Sequence, residues 1–194
     1  MFKTLFDLDG LALYMCPFLK EHPEDDWCSF FIKNTPWRQD EIQIFGKIYD
    51  IPRLQAWYGD PNAHYTYSKI KLIPNPWTPT LLHLKAQVEV ASKSKFNSVL
   101  LNYYRNGEDS NGWHADNEKE LGQNPTIASL SFGESRKFKL KHNTKDEFKY
   151  EINLENNSLL IMKGPLQKHW KHSLSKTKKE VGPRINLTFR NVYV

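Results

Sequence analysis

From Ser98 onward the apolar and polar positions fall into short runs, some alternating in twos and some wholly apolar, each closed by turn residues. Such runs predict strands over Ser98–Tyr104, Thr126–Phe132, Arg136–His142, Lys149–Leu154, Leu159–Lys163, His169–Leu174 and Ile185–Asn191. Gly133-Glu134-Ser135 and Asn156-Asn157 are the turns between pairs of them. Upstream the period changes. Leu81, Leu82, Val88 and Ala91 form an apolar face behind Thr78, a suitable N-cap, and Pro79, suited to the first helical position. A second helix is predicted over Glu24–Lys33, with Trp27, Phe30 and Phe31 turned inward. Many short strands with one or two helices indicate a mainly β fold, an antiparallel sandwich or jelly roll with flanking helices.

One predicted strand has an unusual polar face. In Arg184-Ile185-Asn186-Leu187-Thr188-Phe189-Arg190 the polar residues occupy one face and Ile185, Leu187 and Phe189 the other. Solvent is the ordinary destination of a polar face. In a jelly roll whose sheets enclose a pocket, the same face would instead line a site for a dicarboxylate, because a guanidinium grips a carboxylate through paired hydrogen bonds. The pattern leaves both readings open.

Composition narrows the setting. The 194 residues suit one integrated domain, and no repeat or Pro/Gly/Ser-rich linker divides them. Within it we expect an N-terminal extension over residues 1–40, a lid with its supporting helix over 41–95, and the β core over 96–194. No apolar run is long enough to span a bilayer and the start lacks an apolar h-region, so export and membrane partners are not expected. Two cysteines, Cys16 and Cys28, make no disulfide framework and suit a reducing compartment. Net charge is +5, but residues 163–194 carry eight basic residues against one acidic. Lys176, Lys178 and Lys179 are the densest cluster, read either as a solvated loop or as a contact for a polyanion such as nucleic acid.

His114-Ala115-Asp116 follows the turn-rich stretch Arg105–Trp113. A His-x-Asp pair supplies two of the three ligands of a two-His-one-carboxylate iron site, which leaves open positions for cosubstrate and oxygen. The third must come from a distant strand. His169 and His172 are three apart and fall on opposite faces of a regular strand. His172 has the shorter connection to the arginine strand and is the expected ligand.

Together these residues resemble a known family. Asn102-Tyr103-Tyr104, His114-x-Asp116, His172 and Arg184-x-Asn186-x-Thr188-x-Arg190 are similar to the AlkB family of Fe(II)- and 2-oxoglutarate-dependent dioxygenases. Ile44-Phe45-Gly46-Lys47, Ile51-Pro52-Arg53, Ala56-Trp57-Tyr58-Gly59-Asp60 and Tyr65-Thr66-Tyr67-Ser68 look like the nucleotide-recognition lid of its double-strand-preferring DNA repair members. Ser131-Phe132-Gly133 adds to a match running from about residue 41 to 191. The resemblance implies a double-stranded β-helix that binds Fe(II), 2-oxoglutarate and O2 and acts on alkylated DNA, double- or single-stranded. His114, Asp116 and His172 would hold the iron. Arg184, helped by Tyr104, would pair with the distal carboxylate of 2-oxoglutarate, with Asn102, Asn186, Thr188 and Arg190 near its chelating end.

For the substrate, the resemblance implies a base flipped out of the helix between Tyr67 and His114, with Tyr65 and Ser68 at its edge or backbone. Glu118 would reach the exocyclic amine, Phe45 would fill the vacated space, and Arg53, Lys178 and Lys179 would meet the strands. A carboxylate and electron-rich rings suit the cationic bases 1-methyladenine and 3-methylcytosine. Lys69 stands where the lid of these relatives leads one to expect glycine. RNA is the alternative substrate, and a catalytically inactive nucleic-acid-binding relative is the alternative of another class. A pure binder needs neither three metal ligands nor two arginines facing a pocket. The expected assembly is a monomer, placed with DNA in the bacterial cytoplasm or the nucleus.

Overall fold

The computed structural model describes residues 1–20, 26–44, 46–63, 65–67 and 70–193, and for residues 43, 44, 65–67 and 70–72 the backbone alone. In chain order the first strands are β1 (Lys3–Asp7), β2 (Leu11–Met15), β3 (Glu41–Ile44), β4 (Lys47–Asp50), β5 (Leu54–Gly59), β6 (Tyr65–Tyr67) and β7 (Ile70–Leu72). The β core follows as β8 (Ser98–Tyr104), β9 (Asn111–His114), β10 (Ile127–Gly133), β11 (Arg136–His142), β12 (Lys149–Leu154), β13 (Ser158–Lys163), β14 (Trp170–Leu174) and β15 (Arg184–Arg190). Three helices accompany them, α1 (Trp27–Asn34), α2 (Pro79–Ser92) and the short α3 (Leu166–His169).

Seven strands form one antiparallel sheet in the order β1-β2-β13-β10-β15-β8-β5, and four form a second in the order β12-β11-β14-β9. From β8 to β15 the chain passes between the sheets at every step except the β11–β12 hairpin, the winding of a jelly roll. Between the sheets lie Phe138, Leu140, Leu154, Met162, Trp170 and Leu174. On the other face of the large sheet Leu81, Leu84 and Val88 of α2 pack on Val99, Leu101, Leu130 and Phe189. With both faces covered, β8, β10, β13 and β15 are buried nearly throughout. Their apolar runs have this cause.

The predicted strands appear with small shifts, and three differences have physical reasons. Part of the expected N-terminal extension belongs to the core: Leu11–Met15 pairs with β13, extending the large sheet. Helix α1 starts at Trp27, capped by the Asp26 carboxylate, which accepts from Ser29 N at 3.0 Å, and the expected start at Glu24 lies outside the described residues. Trp27 and Phe31 stack on Phe132, but Phe30 is exposed. On α2 the Thr78 cap and Pro79 are where expected, whereas Leu84 lies inward and Leu82 outward, since 81, 84 and 88 share one helical stripe. The hairpins β3–β4 and β6–β7 are separate two-stranded sheets. Phe45, Ser68 and Lys69 lie outside the described residues, as do the side chains of Tyr65 and Tyr67. Among the described residues no helix is long and apolar enough to cross a membrane.

The helix orientation is open to a simple measurement. Leu84→Ala should cost about 2–5 kcal/mol in denaturant unfolding, whereas Leu82→Ala should stay within about 0.5 kcal/mol.

Candidate active site

Strand β15 supplies one wall of a narrow cavity between the sheets. Its even-numbered residues Arg184, Asn186, Thr188 and Arg190 all line it, while Ile185, Leu187 and Phe189 face the helices. Every residue of β15 is buried, so its polar face meets a cavity and not solvent. Asn102 and Tyr104 enter from β8, whose register places Asn102 opposite Asn186 and Tyr104 opposite Arg184. The opposite wall belongs to the small sheet, where His172 of β14 pairs with His114 of β9.

His114, Asp116 and His172 bring one donor atom each within 4.8 Å of the others. The tautomer of His114 suits a ligand. Its Nδ1 donates to Gly112 O at 2.7 Å, and Asn111 Nδ2 donates toward Nε2 at 3.2 Å, so the Nε2 lone pair is free of a proton. His172 is held between the His114 ring, 4.2 Å away edge-on, and the Phe138 ring at 5.3 Å. Burial, reinforced by His114, pushes its imidazole down to about 3 against the pull of Asp116, so it is neutral and able to donate a lone pair. Burial alone would raise the Asp116 carboxyl. Arg190 leads the influences that outweigh it, through its charge and its hydrogen bond, and the group is taken down to about 2.

Arg190 NH2 donates to Asp116 Oδ1 at 3.0 Å, and Gln167 Oε1 accepts from Asp116 N at 2.9 Å. Arg190 thus holds the carboxylate, and Gln167 holds the backbone that carries it. Arg184 differs from Arg190. Only 2% exposed, it donates to Ser131 Oγ at 2.8 Å and lies over the Tyr104 ring at 5.3 Å, and its Nε has no partner. Burial lowers its guanidinium to about 10. A buried cation with an unmet donor and no facing carboxylate calls for an anion.

The remaining expected residues divide. Asn102 Oδ1 accepts from Arg53 Nε at 2.9 Å, which leaves its NH2 available to the cavity. Asn186 donates to Ser129 Oγ and accepts from Thr188 Oγ1, so both act as braces within the wall. Arg53, expected against the duplex, is buried at 4% exposure and turned inward onto Asn102 and Ser110 O, because β5 runs beside β8 inside the large sheet. Glu118 is half-buried outside the cavity lining, with Oε2 buried and unpartnered. Lys178 and Lys179 are exposed on the loop after β14. That loop is tied to the turn before β9 by Thr177 N donating to Gly107 O at 2.9 Å. A Cβ on Gly107 would meet Thr177 O at 2.4 Å, so only glycine permits this approach.

Sequence reasoning missed Gln167 and Arg136. Arg136 donates to the carbonyls of Asn106, Asp109 and Ser175, so one guanidinium holds both the turn before His114 and the loop after His172. Neither residue sits in a motif; each acts only through distant segments. A second cluster, Asp9, His142 and His169, is committed elsewhere. His142 Nδ1 accepts from Thr144 N and Lys145 N, both at 3.2 Å, so its proton is on Nε2 facing Asp9 Oδ2, where Lys145 Nζ also binds at 2.7 Å.

A jelly roll with a His-x-Asp…His triad and a buried arginine in one cavity defines the class, and the description of the 2OG-Fe(II) oxygenase superfamily matches residues 12–190: the chain belongs to that superfamily. Within it the chain falls in the AlkB family. It is 42% identical over 189 residues to alpha-ketoglutarate-dependent dioxygenase alkB homolog 3 of Bos taurus, covering 92% of this chain and 65% of that protein. It is 40% identical over 158 residues to DNA oxidative demethylase ALKBH2 of Homo sapiens, covering 78% of this chain and 60% of that protein. The chain thus spans under two thirds of these relatives. The solved structure of OsALKBH1 shares the fold, with a TM-score of 0.66 at 16% identity over 97% of this chain and 100% of that one. The residues present fit the groups this family uses. Two neutral imidazoles and a carboxylate suit Fe(II), and the unmet Arg184 donor suits a carboxylate of 2-oxoglutarate.

Cobalt(II), a spectroscopic substitute for iron, distinguishes the two clusters. Asp116→Ala or His172→Ala should weaken its binding by more than the ~10–100-fold typical of losing a supporting residue, whereas His169→Ala should leave the absorption spectrum and affinity unchanged.

Proposed function

We propose that the chain is the catalytic domain of an Fe(II)- and 2-oxoglutarate-dependent oxidative demethylase of alkylated DNA bases, of the 1-methyladenine and 3-methylcytosine class. The observation that carries this is the shared cavity, lined by a His-Asp-His donor set and by the Arg184 guanidinium, which has an unmet donor and no carboxylate partner among the described residues. The name DNA oxidative demethylase borne by a relative supports the substrate.

In this reading His114, Asp116 and His172 hold iron on one face. Arg190 keeps the Asp116 carboxylate ionised and oriented, and Gln167 fixes the Asp116 backbone. Arg184 grips the distal carboxylate of 2-oxoglutarate, with the Tyr104 ring against the guanidinium, and the Asn102 amide offers a donor nearby. Iron with 2-oxoglutarate and O2 supplies oxidation of the N-methyl carbon, after which the hydroxymethyl group leaves as formaldehyde, with succinate and CO2 as coproducts. The target base is flipped out and stacked by Tyr67 and His114, with Tyr65 and Ser68 alongside. Glu118, whose buried Oε2 lacks a partner, accepts from the exocyclic amine and favours a cationic base. Phe45 fills the vacated space, and Lys178 and Lys179 meet phosphates.

The test follows succinate, formaldehyde and repaired base from a 1-methyladenine oligonucleotide. All three should rise together in wild type. Glu118→Gln should lose more kcat/KM on this lesion than on a neutral adduct, which lacks the charge the carboxylate favours. Oxidation of 2-oxoglutarate that leaves the methylated base intact would overturn the assignment.

Duplex activity has its own probe. Phe45→Ala should lower kcat/KM on methylated duplex by at least about tenfold, or roughly 1.4 kcal/mol, and largely spare the same lesion in a single strand, which has no gap to fill. Matched oligonucleotides measure the difference.

A further inference from the structure

Strand β9 turns His114 toward the cavity and the neighbouring Trp113 to the outside, where its indole is 44% exposed. An exposed tryptophan one residue from a candidate metal ligand is not explained by packing. It borders a groove of about 380 Å³ between the β3–β4 hairpin and β9, lined also by Ile42, Pro52 and Gly112. Arg53, Asn111 and His114 line both this groove and the inner cavity, so the two are contiguous. Lys141, which does not line the groove, lies over the indole with Nζ 4.5 Å from the ring. The ammonium attracts one face of the ring, and the half-exposed residue also lines the groove.

The sheet around Trp113 is charged in one sense. Lys141 is directly opposite Lys149 on β12 and Lys171 on β14, so three ammonium groups form one row across the outer face. Glu151 pairs instead with Lys137 and Lys139, and none of the three has a carboxylate partner among the described residues. Like charges in register across a sheet repel one another. A polyanion laid across the row would relieve them, and an aromatic platform beside a lysine track is the arrangement that holds single-stranded nucleic acid.

We propose that Trp113 is a stacking platform for an unpaired base next to the flipped nucleotide, and that the row Lys149–Lys141–Lys171 carries the phosphates of that strand away from the cavity. The inference rests on the reading of the chain as acting on nucleic-acid bases. It adds a subsite outside the cavity and gives a single strand a contact that a duplex cannot make, because inside a helix the flanking base stays stacked on its neighbours.

Two measurements on wild type, Trp113→Ala and Trp113→Phe test it. The first is affinity for unmodified oligothymidylate at low salt, followed by fluorescence anisotropy. Trp113→Ala should weaken it roughly fivefold or more, and Trp113→Phe should retain most of it because the ring face survives. The second is kcat/KM on one methylated base presented in a single strand, in a duplex and as a mononucleotide. The loss caused by Trp113→Ala should be at least about fivefold larger on the single strand than on either other substrate. Unchanged oligothymidylate affinity would overturn the proposal, as would equal losses on single strand and mononucleotide, which would make Trp113 a support for His114. Weakened oligothymidylate binding without demethylation by wild type would leave the platform standing and overturn the proposed reaction.

Discussion

The site depends on burying Arg184 and Arg190 on the inward face of a single strand. Each guanidinium taken from water costs several kcal/mol unless its surroundings replace the lost hydration. The two are answered differently. Arg190 has Asp116, fixed in turn by Gln167, and the three make a rigid mount for one side of the donor set. Arg184 has a serine hydroxyl, a tyrosine face and an unmet donor, so its compensation is incomplete without an anion. One strand thus carries a charge paired with a carboxylate, which organises the site, and a second charge with no carboxylate partner among the described residues, poised to bind an anion.

The same economy extends to the small sheet. The geometry of His114 and His172 depends on β9 and β14 lying side by side, and both are anchored beyond their ends by Arg136, whose guanidinium meets carbonyls from the turn before β9 and the loop after β14. The Thr177–Gly107 bond closes the same seam, at an approach only glycine allows. Because a strand sends alternate side chains to opposite faces, the mount that positions His114 inward necessarily presents Trp113 outward. Cavity and outer face are therefore two consequences of one backbone segment, and the lysine row on β12, β11 and β14 extends that face.

Much of this architecture was legible along the chain because its signals are local. Alternation and apolar runs depend on near neighbours, and they located β8 and β10 to β15 to within a residue or two, whereas β9, four residues inside a turn-rich stretch, was too short to register. Thr78 and Pro79 marked the start of α2 because caps satisfy backbone groups within one turn. The inward faces of the helices were less legible: Leu82 and Leu84 are equally apolar, and only the partner surface selects between them. Residues 1–15 carried too short a pattern to reveal that they extend the large sheet.

The sequence by itself determined which residue types were available and that Arg184, Asn186, Thr188 and Arg190 share a face. The shared face follows from the two-residue period of a strand, a covalent property of the chain. Only the tertiary structure decided what each face meets. The polar face of β15 could have met solvent and meets a cavity because a second sheet covers it. His172 joins His114 while His169 ends α3, since β14 begins at Trp170. Arg53 turns inward, and Gln167 and Arg136 find their partners, through segments far away in sequence. Such pairings depend on closing long loops around one core, and no local pattern encodes them.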